Sequence, residues 1–448
     1  MIDAMTRRSV LQTASAGFAT AFSADFAAGA APALAAVPAA KSGRVLRPDF
    51  LWGAATSGHQ VEGGNVNSDS WVTEHLTPSA FPEPSGDACD SWNRWREDIA
   101  LVKRLGLNTY RFGIEWARIE PERGEWSMAA LAHYRAMLDA CAEAGLKPLV
   151  TYSHFTVPRW FAGLGGWEVA ANVDHFVRFC EMAARALGTG YAHALTFNEP
   201  NLTAQLLWQR DFKAAAPFFA MGNAEAAKRI GTERFSSTLT APPEAVFANM
   251  ASAHHRAIAA IKSVRPDVQL GLSLAVADEQ AAPGESARAA KIVQVYQPWF
   301  EVVARDDFVG VQTYGRNVVG READLAPPEG VELTETGMEF YPEALGATVR
   351  WVAGATGRPI LVTENGVATS DDTRRIAYID RALASLAKVI AEGVDVRGYV
   401  HWSLLDNFEW NRAYTAHFGL VAVDRTTFAR TVKPSALHLG AYARANRI

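Results

Sequence analysis

Residues 360–366 read ILVTENG, a mostly apolar run that looks like a buried strand and stops on a carboxylate. Alone, Glu364 reads as an ordinary turn residue. A second stretch with the same grammar, ALTFNEPN at 194–201, delivers Glu199 in the same way. Two strand-ending glutamates in one long chain point to a pair of carboxylates facing one another.

Working outward, six more short strand-like runs join these two. The series is Phe50–Gly53, Thr109–Ile114, Pro148–Tyr152, His193–Phe197, Gln269–Ser273, Phe308–Val311, Ile360–Thr363 and Gly398–Trp402. Helical patterns fall between them. In Trp92–Leu105, residues Trp95, Ile99, Val102 and Leu105 recur at helical spacing and Gly106 stops the run; Met128–Ala144 and Val169–Leu187 also close on glycine. Such alternation argues for a parallel sheet covered by helices. Eight units without a linker predict one α/β domain over 48–448, a closed (β/α)8 TIM barrel. An open doubly wound sheet is disfavoured because no GxGxxG follows the first strand.

Composition permits this and excludes several alternatives. The chain has 448 residues and is 49% hydrophobic, enough for a large core, and one α/β barrel routinely exceeds ~250 residues. A formal charge of -5 without single-sign runs gives no electrostatic reason to expect nucleic acid. Cys89, Cys141 and Cys180 are widely spaced and form no CxxC, so neither a disulfide framework nor a structural zinc site is expected. The adjacent His254 and His255 point in different directions on a helix and are not read as ligands. No metal or cofactor is predicted. Thirteen tryptophans and eleven tyrosines supply core, and also flat platforms for sugar C–H faces.

The N-terminus reads as a separate segment. TRRSVLQ at 6–12, with Arg7 and Arg8, precedes an alanine-rich run to Ala36 and resembles a twin-arginine export signal, with Ala33, Leu34 and Ala35 as a small-x-small cleavage site. Gly17, Ser23, Asp25 and Gly29 interrupt the run short of the ~20 apolar residues of a membrane span. Residues 1–36 are therefore expected to be an export signal, sending the protein to the periplasm or medium, and 37–47 a flexible leader.

Barrel chemistry sits at the C-terminal ends of the strands. There the chain places Gln60 and Glu62, Arg111, Glu115 and Trp116, His154, Asn198 and Glu199, Gln312 and Tyr314, Glu364, then Trp402, Ser403, Glu409 and Trp410. Amides, an imidazole, indoles and carboxylates on one rim suit a ring of hydroxyls.

Five ordered stretches carry a family resemblance: FLWGAATSGHQVEGG (50–64), EDIALVKRLGLNTYRFGIEWARIEP (97–121), TFNEPN (196–201), TENG (363–366) and HWSLLDNFEWNRAYTAHFGLVAVD (401–424). They resemble the signatures of the family 1 glycoside hydrolases, the β-glucosidase family, across almost the whole chain after the leader. The resemblance implies a retaining exo-β-glycosidase with Glu199 as acid/base and Glu364 as nucleophile. Its substrate would be a small-molecule β-glycoside with a terminal β-D-glucosyl residue, galactosyl or fucosyl being tolerated. It further implies Asn198 at the sugar 2-hydroxyl, Gln60, His154, Gln312, Glu409 and Trp410 around the terminal sugar, Trp402 as its floor and Phe418 at its rim. An acidic Glu409 fits an unphosphorylated sugar, since it would repel phosphate.

The chemistry can also be argued directly. A retaining glycosidase needs two carboxyl groups about 5–5.5 Å apart, a separation that opposite strands of a barrel can supply. The nucleophile must stay ionised, for which Arg111 and the Tyr314 hydroxyl are the expected partners. Burial and the charge of Glu364 should raise Glu199, keeping it protonated until the glycosyl ester forms.

Departures from the family pattern mark specificity. His154-Phe155-Thr156 stands for the usual His-Trp-Asp, and Gln312-Thr313-Tyr314 for Asn-Tyr-Tyr. Leu202–Pro243 matches poorly and contains Trp208, Phe212, Phe218, Phe219 and Met221; it is either a variable loop with its own small core or the wall of an unusual, hydrophobic leaving-group site. A transglycosidase using an alcohol acceptor, a retaining endo-glycanase and a non-catalytic sugar-binding barrel remain alternatives, and the oligomeric state is not legible.

Overall fold

The computed structural model describes residues 43–448. The expected export signal and the first part of the 37–47 leader lie outside them. All eight expected barrel strands are present: β1 (Leu51–Ala55), β2 (Thr109–Gly113), β3 (Lys147–Ser153), β4 (His193–Asn198), β5 (Gln269–Ala275), β6 (Val309–Thr313), β7 (Ile360–Asn365) and β8 (Val396–Trp402). They close into a parallel ring in which β8 returns to β1, Leu51–Ala55 pairing with Gly398–Trp402. Closure leaves the ring itself without an unpaired edge.

Two hydrophobic layers hold the ring. Leu51, Leu149, Leu195, Phe308 and Leu361 fill the barrel near the strands' N-terminal ends. The larger layer joins strands to helices: Ile99 and Val102 of helix Ser91–Arg104, Leu131 and Leu138 of Met128–Glu143, and Phe176 and Phe179 of Val173–Leu187 are all buried. The last helix starts later than expected because Gly166–Glu168 and Ala170–Asn172 form single tight turns before it. Cys89, Cys141 and Cys180 are buried and free. His254 is buried in the core, its ring bonded to the Thr196 hydroxyl at 2.7 Å and to Asp306 at 2.9 Å.

Leu202–Pro243 folds as three helices, Leu202–Leu206, Arg210–Ala214 and Ala216–Ile230, before the long covering helix Pro243–Val264. The leader also needs correction. Its last residues are pinned rather than free: the Arg44 amide donates to the Ile448 carbonyl at 2.7 Å, Val45 bridges to Arg447, and Leu46 is buried. The Leu46 side chain joins the large hydrophobic core. Among the described residues, no helix is long and apolar enough to cross a membrane.

Candidate active site

At the C-terminal rim of the barrel a cavity of about 640 Å³ is lined by Gln60, His154, Asn198, Glu199, Tyr314, Glu364, Trp402, Glu409, Trp410 and Phe418. The remaining two predicted site residues, Arg111 and Gln312, lie behind this lining and are buried.

Several of these side chains lie within strands rather than after them. Gln312 of β6 pairs in register with Glu364 of β7, and Thr313 with Asn365, so the ladder carries the strand past the apolar run. Gly366 must follow, because a Cβ there would sit 2.0 Å from the Trp402 carbonyl oxygen. Glu364 is consequently held at 4% exposure.

Donors meet both Glu364 oxygens. Oε1 accepts from the Arg111 guanidinium and from Gln312 Nε2 at 2.8 Å, and Oε2 accepts from the Tyr314 hydroxyl at 2.5 Å. Arg111 is itself oriented, Nε donating to Thr151 Oγ1 at 3.1 Å and Nη2 to Asn198 Oδ1 at 2.5 Å. Asn198 Oδ1 also accepts from Gln312 Nε2 at 2.8 Å, which leaves Asn198 Nδ2 a buried donor with no protein partner at the cavity wall.

Glu199 differs in its backbone and in its lack of donors. It follows β4 with φ of 46°, a left-handed conformation rare for a side chain of its size, and its amide donates to the Ser273 carbonyl at 2.8 Å. No donor among the described residues reaches its carboxyl. Burial first, and then the charge of Glu364, raises it well above the ordinary carboxylate range against the opposing pull of Arg111. Glu364 is also raised by burial, but Arg111 and the Tyr314 hydroxyl oppose that shift. The two titrate as a pair in which Glu364 loses its proton first.

The far wall is a second polar cluster. Gln60 is fully buried, Nε2 donating to Asn407 Oδ1 at 3.0 Å and the Phe408 carbonyl at 2.9 Å, with Ser57 donating to its Oε1 at 2.7 Å. The Trp402 indole N–H donates to Glu409 at 3.0 Å. Burial pushes Glu409 up to about 8, Trp402 opposing and the charge of Glu364 adding. His154 stacks on Trp402 with centroids 5.7 Å apart; burial and then the charge of Arg111 keep it neutral. Trp410 stacks on His59 at 5.5 Å and meets the edge of Phe155 at the same distance, while Phe418 packs against Tyr314.

Two expectations change. Gln312 was expected against the sugar, yet its amide N–H2 is shared among Asn198, Ser273 and Glu364, so it supports the carboxylate from beneath. Glu199 and Glu364 do not stand on opposite strands: β4 and β7 are three steps apart around the ring, with β5 and β6 between them. That is the span Gln312 bridges. Thr151, Ser273 and Asn407 were missed. Ser273 carried a weak signal, as a polar residue in the otherwise apolar run LGLSLA.

A closed (β/α)8 barrel that sets a donor-rich carboxylate beside a donor-free carboxyl in a cavity lined by amides and indoles is of the glycoside-hydrolysing class. The chain belongs to glycosyl hydrolase family 1, whose model matches residues 43–306 and 312–448, and it is a β-glycosidase hydrolase. Beta-glucosidase A of Thermotoga maritima is 31% identical over 425 residues, covering 86% of this chain and 95% of that one. Beta-glucosidase A of Acetivibrio thermocellus is 27% identical, with 86% and 95% covered. Among solved structures, the apo structure of a beta-glucosidase 1317 superposes with a TM-score of 0.87 at 47% identity, covering 88% of this chain and 98% of that chain.

Proposed function

We propose that the protein is a retaining exo-β-glycosidase releasing terminal, unphosphorylated β-D-glucosyl residues, with galactosyl or fucosyl residues tolerated. The observation that carries this reading is the asymmetry of the carboxyl pair. Glu364, charged and gripped by Arg111, Gln312 and Tyr314, attacks the anomeric carbon. Glu199, kept protonated by burial and by the charge of Glu364, protonates the departing oxygen. Formation of the glycosyl ester removes the Glu364 charge, so Glu199 becomes acidic enough to serve as base for the incoming water. Asn198 Nδ2, buried and unpartnered, is the donor for a sugar hydroxyl beside the reacting carbon. Solved structures of the Thermotoga maritima beta-glucosidase in complex with noeuromycin and with castanospermine support binding of a small sugar-like molecule.

Proton NMR of the first-formed sugar tests the mechanism. The β anomer is expected; initial release of the α anomer would sink it. Glu364→Gly should abolish turnover of every glycoside. Glu199→Gln should remove the alkaline limb of the kcat/KM profile while aryl glycosides with good leaving groups retain activity.

Export through the twin-arginine route is part of the proposal, supported by Arg7, Arg8 and the Ala33-Leu34-Ala35 site. Replacing both arginines by lysine should hold the enzyme in the cytoplasm; unchanged export of that variant would refute this route.

A further inference from the structure

The outer half of the cavity is chemically unlike its inner half. Leu206, Phe212, Phe218 and Phe219 line it from the three helices of the Leu202–Pro243 segment, and Phe81 and Met338 line it from other loops. The three phenylalanines form one cluster, Phe212 and Phe219 with centroids 5.1 Å apart and Phe218 and Phe219 6.2 Å apart. Each is only half-buried, so carbon faces remain open to the cavity. Three hydroxyls in the same lining are turned to protein partners, and the exposed amides Gln209 and Asn411 are free polar side chains beside them. The Thr73 hydroxyl donates to the Ser70 carbonyl at 3.0 Å, that of Thr240 to Asn223 at 2.9 Å, and that of Ser237 to Asp69 at 2.6 Å. The buried unpartnered polar atoms of the lining belong instead to the inner end, at His154 Nδ1 and Asn198 Nδ2.

A second sugar ring on this side would lay hydroxyls against phenylalanine faces, and a hydroxyl stripped of water without a partner is strongly disfavoured. A hydrocarbon or aryl group there would gain from every methylene removed from water. We infer that the outer half is a binding site for an apolar leaving group, alkyl or aryl, and that Phe212, Phe218 and Phe219 select it over a second sugar. The inference rests on the glycosidase reading above and goes further by naming the chemistry beyond the cleaved bond.

Two measurements on the full enzyme separate the two readings. The first is calorimetric binding of methyl and hexyl β-D-thioglucosides, S-glycosides that serve as probes without needing turnover. Ideal burial strengthens binding roughly fourfold per methylene; with partial burial, the hexyl compound should bind about thirty-fold or more tighter than the methyl. Equal affinity within about threefold, or no binding of either, would overturn the inference whatever the catalytic mechanism. The second is kcat/KM for methyl and hexyl β-D-glucosides and for cellobiose. The hexyl compound should lead, and a lead for cellobiose would overturn the inference. In Phe212→Ala and Phe219→Ala the hexyl-to-methyl ratio should fall at least about fivefold, a comparison within each variant that cancels any general loss of activity. An unchanged ratio in both would remove the phenylalanines from the selection. Should either variant fold poorly, the parent comparisons still decide.

Discussion

Glu364 owes its chemistry to three donors of unequal obviousness. Arg111 and Tyr314 are the expected ones; Gln312 is not, because its amide lies beneath the carboxylate rather than beside the substrate. A hydrogen bond to a charged group is worth about 1.5–3 kcal/mol, so Gln312→Ala should lower kcat/KM roughly ten- to hundredfold. Its signature is the pH profile. Losing a donor to the ionised form raises the pKa of Glu364, so the acid limb should move to higher pH. A raised KM with an unmoved acid limb would mean that Gln312 serves the sugar directly. Glu199, Phe155 and Trp410 share left-handed backbone, at φ of 46°, 67° and 51°. Three such residues around one cavity mark a rim held in place by its surroundings rather than by local preference.

At the scale of elements, the helix Leu202–Leu206 is anchored through a buried polar chain. Gln205 donates to the Tyr296 hydroxyl at 2.7 Å, Tyr296 donates to Glu279 at 2.6 Å, and Lys291 pairs with Glu279 at 2.7 Å and with Asp324 at 2.8 Å. Lys291 has no exposed side-chain surface. Replacing it with methionine strands two carboxylates in the interior, and breaking a buried pair this way costs about 3–5 kcal/mol. Lys291→Met should therefore lower the urea midpoint clearly. A loss under about 1 kcal/mol would show that the carboxylates are relieved by protonation or by water.

For the molecule as a whole, buried acids and buried histidines pull stability in opposite directions with pH. Burial raises Glu62 from its ordinary 4.5 to about 7, Arg118 opposing, and Glu409 to about 8. Raised acids stabilise fully below about pH 4.5 and lose that contribution as pH climbs through 7 and 8. Burial, with the charges of Arg375 and Lys433 adding, lowers His401 from 6.5 to about 3. That group destabilises as pH falls below 6.5, where the unfolded chain takes up a proton the core refuses. Above pH 6.5 the histidine contribution is complete and only the acids still change; below 4.5 the reverse holds. Maximal stability is expected between those limits, with a fall on the order of 2–3 kcal/mol from pH 6.5 to 8. Calorimetric melting across this range checks it, and a midpoint rising toward pH 8 would contradict the assignment.

The sequence by itself determined the eight strands, the order of their residues around the rim and the two strand-ending glutamates that meet in one cavity, because strand periodicity and short motifs are local. ILVTENG and ALTFNEPN needed no distant partner to be read. Only the tertiary structure decided that Gln312 closes the gap beneath Glu364 and that Leu202–Pro243 becomes a cavity wall rather than an isolated loop. It also showed that Arg44–Leu46 are tied to the C-terminus. These features depend on register and ring closure between segments far apart in the chain. Side-chain period along a single strand carries no information about them.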